Sequence, residues 1–469
     1  MSKNQSTVSR RTFLSNAAII GASGTLGAGT LFSACSGGEN NGNKLTPLRP
    51  AGGYYIPELG DKAINGKPLK AGLIGCGSRG TGAAFNFLEA GDDLSIVACA
   101  DVFRDRMDRC RERLKERNNE IADEMCFLGF DAYKKVCEAD VDLVLIATPT
   151  LFHPEQLKYA IDQGKHVFVE KPAAIDAAGF RTYMMAVRQA QTSNLCIVPG
   201  THNHYHRGYI ESYKLVQEGY IGRITSANVW FCQGDIGYVR RRPEWTDMEF
   251  MLRDFFNWCW LSGDHVVDQF IHAIDIFSWF SHLKPVRVVS IGSRQRRISG
   301  DIYDNFSMYY EYEGGVIVRG MARQIDNCDN RVAETIQGTK GSWNAVNNRQ
   351  FNILDLDGNV VWEYDEEAAK EKFRQHNPYV LEHVDMINNI RSGKVVNNAE
   401  FTAISSMACI MARESAYTGR FCTWDEMTQS DMNFMPAGLT LGNMDMDRYT
   451  VPVPGASSNL VYRDTFFQT

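Results

Sequence analysis

From Pro68 onward, short apolar runs alternate with stretches whose apolar residues recur at helical spacing. Residues 70–74, 94–100, 141–148 and 166–170 are predicted strands, and helical spacing fills 83–88 and 155–163 between them. The third run, Val-Asp-Leu-Val-Leu-Ile-Ala-Thr, is almost continuously apolar, as a strand covered on both faces should be. Strand and helix in alternation predict a parallel sheet with helices on both faces, an α/β domain. Beyond residue 220 the period changes to two. Residues 224–236, 286–295, 304–324 and 351–363 are rich in β-branched and aromatic side chains, and 304–324 reads as a hairpin around Glu313, Gly314 and Gly315. Strands gathered in this way predict an α+β domain, with helices at 377–393 and 399–418 packing back on the other layers.

The first predicted strand runs directly into Gly75-x-Gly77-x-x-Gly80, and a helix follows. In that setting each glycine has its own reason. Gly75 allows the tight turn, Gly77 lets backbone approach a pyrophosphate, and Gly80 lets helix pack on strand. The opening of the helix offers unpaired N–H groups to an anion, which makes Gly75, Gly77, Ser78, Arg79 and Gly80 candidate nucleotide contacts. Asp101 ends the second strand about twenty residues past the last glycine, where a carboxylate accepts hydrogen bonds from ribose hydroxyls and repels a 2′-phosphate. A Rossmann domain is therefore expected, with NAD favoured over NADP. Arg104 and Arg106 lie close enough to soften that preference, and the alternative for Asp101 is a helix-cap or turn residue.

Ahead of this domain lie Arg10 and Arg11, an apolar Ala/Gly-rich stretch over 17–32, and Leu-Phe-Ser-Ala-Cys at 31–35. The pattern predicts a twin-arginine export signal, too short and glycine-rich for a comfortable membrane span. The small residues before Cys35 match a lipoprotein-processing site, which would leave Cys35 lipidated; cleavage near Ala34 without lipidation is the other reading. The expected organisation is a signal over 1–35, a polar tether over 36–66, the nucleotide domain over 67–198, the α+β domain over 199–428 and a tail over 429–469. Location is then periplasmic, held to a membrane surface by a lipid alone.

The 469 residues are 44% hydrophobic, which excludes a disordered chain, and 49 basic against 56 acidic side chains give a net charge of −7. That balance does not suit a phosphate backbone, so nucleic acid is not an expected partner. The twelve cysteines show no Cys-x-x-Cys pair and no zinc spacing. Folding in a reducing cytosol before export predicts buried free thiols for most of them.

The run 148–172, Thr-Pro-Thr-Leu-Phe-His through Val-Glu-Lys-Pro, resembles the Gfo/Idh/MocA family of sugar and cyclitol oxidoreductases. The likeness continues through Gly-Tyr-Ile-Gly-Arg-Ile at 219–224, the 263–275 segment and the helical run 383–394. It implies a second domain built on an open, mostly antiparallel sheet, whose edge points to a homo-oligomer. Thr148, Pro149 and His153 keep the family's Thr-Pro-Asn-x-x-His segment with Thr150 replacing Asn, and Glu170, Lys171 and Pro172 keep Glu-Lys-Pro. These residues would border the cofactor. Carried over by position, Lys171, Asp268 and His272 become the candidate catalytic set.

Asp268 and His272, four positions apart, would share one face of a helix. The chemistry suits the residue types. A histidine can take the proton of a secondary alcohol as its hydride leaves, and a lysine beside the same oxygen stabilises the developing charge. The aspartate can hold a neighbouring hydroxyl or orient the pair. A satisfied core histidine and a helix-surface carboxylate are the plain alternatives.

His202, His204 and His206 alternate, which on an extended segment would turn all three to one side. Without a carboxylate nearby a metal site is the weaker reading, so no metal is expected. His202, His204, His265 and Tyr238 are candidate sugar contacts. Arg240, Arg241, Arg242 and Trp245 are either part of an aromatic and charged platform or an exposed loop.

An exported enzyme of this type lacks a supply of free NAD, and the resemblance to glucose–fructose oxidoreductase implies a cofactor carried along and recycled on the protein. The expected activity is oxidation of a ring hydroxyl of a sugar or glycoside. Two alternatives stand beside it. One is a redox-neutral glycosidase or epimerase, like the NAD-dependent α-N-acetylgalactosaminidases of this fold, whose usual pattern lacks the Glu-Lys-Pro lysine. The other is a nucleotide-binding sensor without turnover.

Overall fold

The computed structural model of the protein describes residues 55–455. Arg10, Arg11, the apolar stretch, Cys35 and most of the tether lie outside the described residues.

Six parallel strands form the first sheet in the order β3-β2-β1-β4-β5-β6. They are β1 (Leu69–Ile74), β2 (Leu94–Asp101), β3 (Cys126–Leu128), β4 (Leu143–Ile146), β5 (His166–Val169) and β6 (Ile197–Pro199). Every residue of β4 is buried, which explains its unbroken apolar run. Strand order reverses between β1 and β4, so a crevice opens at the carboxyl ends of these strands, where Gly75 and Thr148 leave the sheet, with Lys171 following the adjacent β5.

The second sheet has nine strands in the order β14-β13-β12-β11-β7-β10-β9-β8-β15. They are β7 (Ile224–Gln233), β8 (Pro285–Ser293), β9 (Asn305–Tyr312), β10 (Val316–Gln324), β11 (Arg331–Gly338), β12 (Gly341–Val346), β13 (Gln350–Asp355), β14 (Val360–Glu363) and β15 (Cys422–Thr423). Neighbours are antiparallel except β7 and β10. The period-two pattern is legible in β10, where Val316, Val318, Gly320 and Ala322 are buried. The predicted hairpin is present, with Glu313–Gly315 turning β9 into β10. The strand-like stretch 351–363 holds two strands. Asp355 accepts hydrogen bonds from the amides of Asp357 and Asn359, and Gly358 takes a φ of +86°, so the chain turns there.

The helices Ile271–Ser281 and Ala399–Thr418 cover one face of this sheet; Tyr310 of β9 donates its hydroxyl to the Ala408 carbonyl and the Ser290 amide donates to Ser415 Oγ. Ala399–Thr418 is buried on nearly every side because it also packs against the Ala177–Thr192 helix of the first layer. The described part of the tail is laid onto the core: Met432 and Phe434 are buried, and Pro452 accepts the Tyr303 hydroxyl. The eleven described cysteines are all free and most are buried, as expected, with Cys328 exposed.

Candidate active site

A cavity of about 860 Å³ runs along the crevice from the glycine loop and Asp101 to Lys171, Asp268 and His272. At the first end the wall is largely backbone. Gly75 has a φ of +95°, and a Cβ there would lie 2.6 Å from the Ala147 carbonyl oxygen. A Cβ on Gly80 would lie 1.8 Å from the Gly75 oxygen, so helix and strand close only on glycine. A Cβ on Gly77 would meet no protein atom within 4 Å, so this position opens onto the cavity. The Ser78–Glu89 helix starts here with no side-chain cap and no acidic residue in its first turn, leaving its N–H groups and partial positive charge to the cavity. Asp101 accepts hydrogen bonds from the amides of Cys76 at 2.7 Å and Phe103 at 2.8 Å, which fixes the carboxylate beside the loop. Burial raises its pKa, partly offset by those two N–H groups. Each carboxylate oxygen keeps a lone pair for a further donor. Of the two arginines nearby, Arg104 is exposed beside Asp108, and Arg106 lines the cavity while donating to the Arg253 carbonyl.

At the other end the groups come from distant parts of the chain. Lys171 Nζ donates to the Asp268 carbonyl oxygen at 2.5 Å and lies 3.5 Å from its carboxylate. Gln269 donates to the other carboxylate oxygen at 2.6 Å. His272 sits edge-on to His202, with ring centroids 5.1 Å apart, and near-parallel to Phe231. Burial, then the charges of Lys171 and the nearby His202 and Arg79, hold the His272 pKa well below the ordinary value. The ring is therefore a neutral acceptor at physiological pH. His202 is pushed down to about 3, by burial first and Arg79 next.

The single helix expected for Asp268 and His272 is broken. His265–Asp268 is one short turn, Gln269 and Phe270 intervene, and His272 belongs to the next helix. The buried Phe270, packed against Gly320 of β10, occupies the place where the chain changes direction. Both side chains still line the cavity.

Two predicted sugar contacts lie elsewhere. Residues 202–205 form a 3₁₀ turn rather than an extended segment, so the three histidines diverge. His202 lines the cavity, stacked on Tyr379. His204 is buried, bonded to Asp275 at 2.6 Å and stacked on Trp279, and His206 caps the following helix. His265 is also buried away from the cavity, its Nδ1 bonded to Asp264 at 3.0 Å. Tyr238 does line the cavity, whereas Arg240, Arg241 and Arg242 are exposed and Arg241 pairs with Asp247.

His153 holds the two border loops together, bonding the carbonyls of Thr148 and Pro172 at 2.8 Å each. Arg79 reaches from the glycine loop to Glu170 and lies 3.6 Å from Glu382, over the Tyr379 ring. Sequence reasoning missed Tyr379 and Arg413. Arg413 is fully buried and donates to the carbonyls of Ile175 at 2.9 Å and Gly263 at 3.2 Å, tying the Lys171 loop to the segment that carries Asp268. The signal for it was a charged Arg-Glu pair inside an otherwise apolar helix.

Residues 69–198 match the oxidoreductase family with NAD-binding Rossmann fold of the Gfo/Idh/MocA group, and residues 209–344 match the Gfo/Idh/MocA C-terminal domain. The chain belongs to the Gfo/Idh/MocA family. Among curated relatives, a glycosyl hydrolase family 109 protein of Porphyromonas gingivalis is 35% identical over 132 residues, 28% of this chain and 27% of the relative. A Bacteroides fragilis protein of the same description is 35% identical over 131 residues. The match thus spans about a quarter of those relatives' length. Among solved structures, scyllo-inositol dehydrogenase from Lactobacillus casei with bound NAD(H) and scyllo-inositol superposes with a TM-score of 0.57 at 21% identity, over 76% of this chain and 99% of that one. Aldose-aldose oxidoreductase from Caulobacter crescentus gives 0.58 at 17% identity, over 76% and 100%.

The first domain of this Gfo/Idh/MocA protein is an NAD-binding Rossmann domain. Its residues fit the dinucleotide: a glycine cradle that side chains would fill, an uncapped helix start for the pyrophosphate and a fixed carboxylate for ribose hydroxyls.

Proposed function

We propose that this protein is an NAD-dependent oxidoreductase that oxidises or reduces a secondary hydroxyl of a sugar or glycoside, with the cofactor held tightly. The observation that carries the reading is the meeting of Lys171, Asp268 and His272 on the wall of the cavity that the glycine loop opens. Bound NAD would accept the substrate's hydride. His272, neutral in its buried setting, takes the hydroxyl proton at a ring nitrogen. Lys171 supplies positive charge to the oxygen as it loses that proton, and its bond to the Asp268 carbonyl fixes the ammonium in place. Asp268, braced by Gln269, keeps acceptor capacity for a neighbouring hydroxyl. His202 and Tyr238 supply ring faces and edges along the substrate side.

The glycosyl hydrolase family 109 relatives favour a second reading, transient oxidation followed by elimination and return of the hydride. The intact Lys171 argues for net oxidoreduction. Deuterium placed at the oxidised carbon separates the two. Net oxidation carries the label to a second carbonyl compound, and a redox-neutral cycle returns it to the product.

The decisive measurement is a search for nucleotide in the protein as purified, by absorbance and mass spectrometry, followed by a panel of mono- and disaccharides. Bound nucleotide that becomes reduced on adding a sugar supports the proposal. Turnover only with freely exchanging NAD would remove the tight-binding part, and no spectral change with any sugar would favour a sensor. We extend the proposal to location: export by the twin-arginine route and lipidation of Cys35, with self-association through the open sheet. Fractionation with a Cys35→Ala variant tests the anchor, which should release into the soluble periplasm.

A further inference from the structure

Between β7 and the His265–Asp268 turn the chain makes an excursion, residues 234–262, part of which lines the cavity. Its base is firmly built into the second domain. Asp254 accepts hydrogen bonds from the Val239 amide, the Asn257 side chain and Ser299 Oγ, and Asn257 accepts from the buried Arg297. Its outer helix, Asp247–Arg253, is held from behind by the amide of Met444 on Asp247. Arg253, next in the chain to Asp254, grips the nucleotide domain. Arg253 donates to both oxygens of Asp105, at 2.8 and 3.1 Å, and stacks 4.0 Å from the centroid of Phe103, while Arg106 donates to its carbonyl. All three partners follow directly on Asp101. Asp101, Phe103 and Arg106 of the nucleotide domain and Leu252, Arg253 and Phe255 of this segment all line the cavity. Arg253 is mostly buried and Asp105 half exposed, so the pair sits at the rim.

We infer that Arg253 is a cofactor-retaining residue: it latches the 234–257 segment across the Asp101 end of the cavity, so that a bound dinucleotide leaves only when the Arg253–Asp105 contact opens. The inference rests on the tightly held cofactor proposed above and gives that property a structural cause. A covalent bond or a larger interface is not needed, because release of a ligand enclosed by a strap is limited by the opening of its weakest anchor. Asp254 and Asn257, next to Arg253 in the chain, are anchored to the second domain by buried hydrogen bonds, and Glu249 braces the Arg253 guanidinium at 2.9 Å, whereas the hold on the nucleotide domain is the bidentate ion pair with Asp105, the stacking on Phe103 and the Arg106 bond to the Arg253 carbonyl.

The test uses the full chain loaded with NADH and chased with excess NAD, following the loss of bound NADH fluorescence. Slow release is expected from the unmodified protein, and Arg253→Ala and Asp105→Ala should each speed it by about tenfold, in line with losing one charge-assisted bidentate contact. The charge exchange Arg253→Asp with Asp105→Arg should restore slow release, a rescue that a merely structural role of either residue does not predict. Raising salt to about 1 M should speed release from the unmodified protein and leave the single variants unchanged, because a rim pair is screened. Slow release in the unmodified chain with equally slow release in the variants overturns the latch and leaves tight binding standing. Fast release from the unmodified chain overturns both. If the variants fail to fold, the salt arm on the unmodified protein decides, and a release rate indifferent to salt overturns the latch.

Discussion

At its nucleotide end the cavity is shaped chiefly by one continuous strand–turn–helix–strand run, the glycine loop through Asp101, whereas at its other end Lys171, His202, Tyr238, Asp268, His272 and Tyr379 arrive from separate elements. The difference teaches where each end is vulnerable. A local site built of glycines and helix geometry fails when a side chain intrudes. A site assembled at a distance fails when any of its supports, such as Arg413 between Ile175 and Gly263, lets go.

Separate ends predict separable variants. Lys171→Met and His272→Ala should each lower kcat/KM by about 10²–10⁴ while NADH affinity, read by fluorescence titration, changes little. An equal loss of NADH affinity would break the distinction between the two ends. Asp101→Ala should act in the opposite sense, weakening NAD by roughly tenfold and narrowing the preference over NADP, with turnover at saturating cofactor nearly kept. Steady-state kinetics with both cofactors measures this.

The two neighbouring histidines sharpen the comparison further. His204→Ala leaves one oxygen of the buried Asp275 carboxylate without its partner, Ser405 keeping the other, and should cost about 1–3 kcal/mol of stability, seen as a lower Tm. His202→Ala should move KM for the sugar and leave Tm close to the unmodified value, because His202 faces the cavity. The smallest effect is an absent one. With the His272 pKa held well below its ordinary value, the base stays neutral as pH falls through about 6.5 and is protonated only lower down. The pH profile of kcat/KM should therefore show no histidine limb near 6.5, and a limb there would mean that His272 is not the base or is not buried in solution.

The glycine loop, the place of Asp101 at a strand end and the Lys171 loop were legible because each depends on neighbours along the chain: a turn, a helix start, a strand end. The pair Asp268 and His272 was legible as a spacing, although the helix behind it is broken at Phe270. His204 and His265 were misplaced for a common reason. Alternation and family position give no direction to a side chain when the backbone is a 3₁₀ turn, or when a buried carboxylate such as Asp264 claims the ring. Tyr379 and Arg253 carried no local signal, since their partners lie hundreds of residues away, or on the other domain.

By itself the sequence determined the two layers of the fold, the dinucleotide and the residue types available for proton transfer, because periodicity and turn chemistry act over a few residues. Only the tertiary structure decided which histidines face the cavity and which arginine supports the lysine loop. Those outcomes depend on the competition among buried polar groups for partners, and that competition is settled when the layers pack.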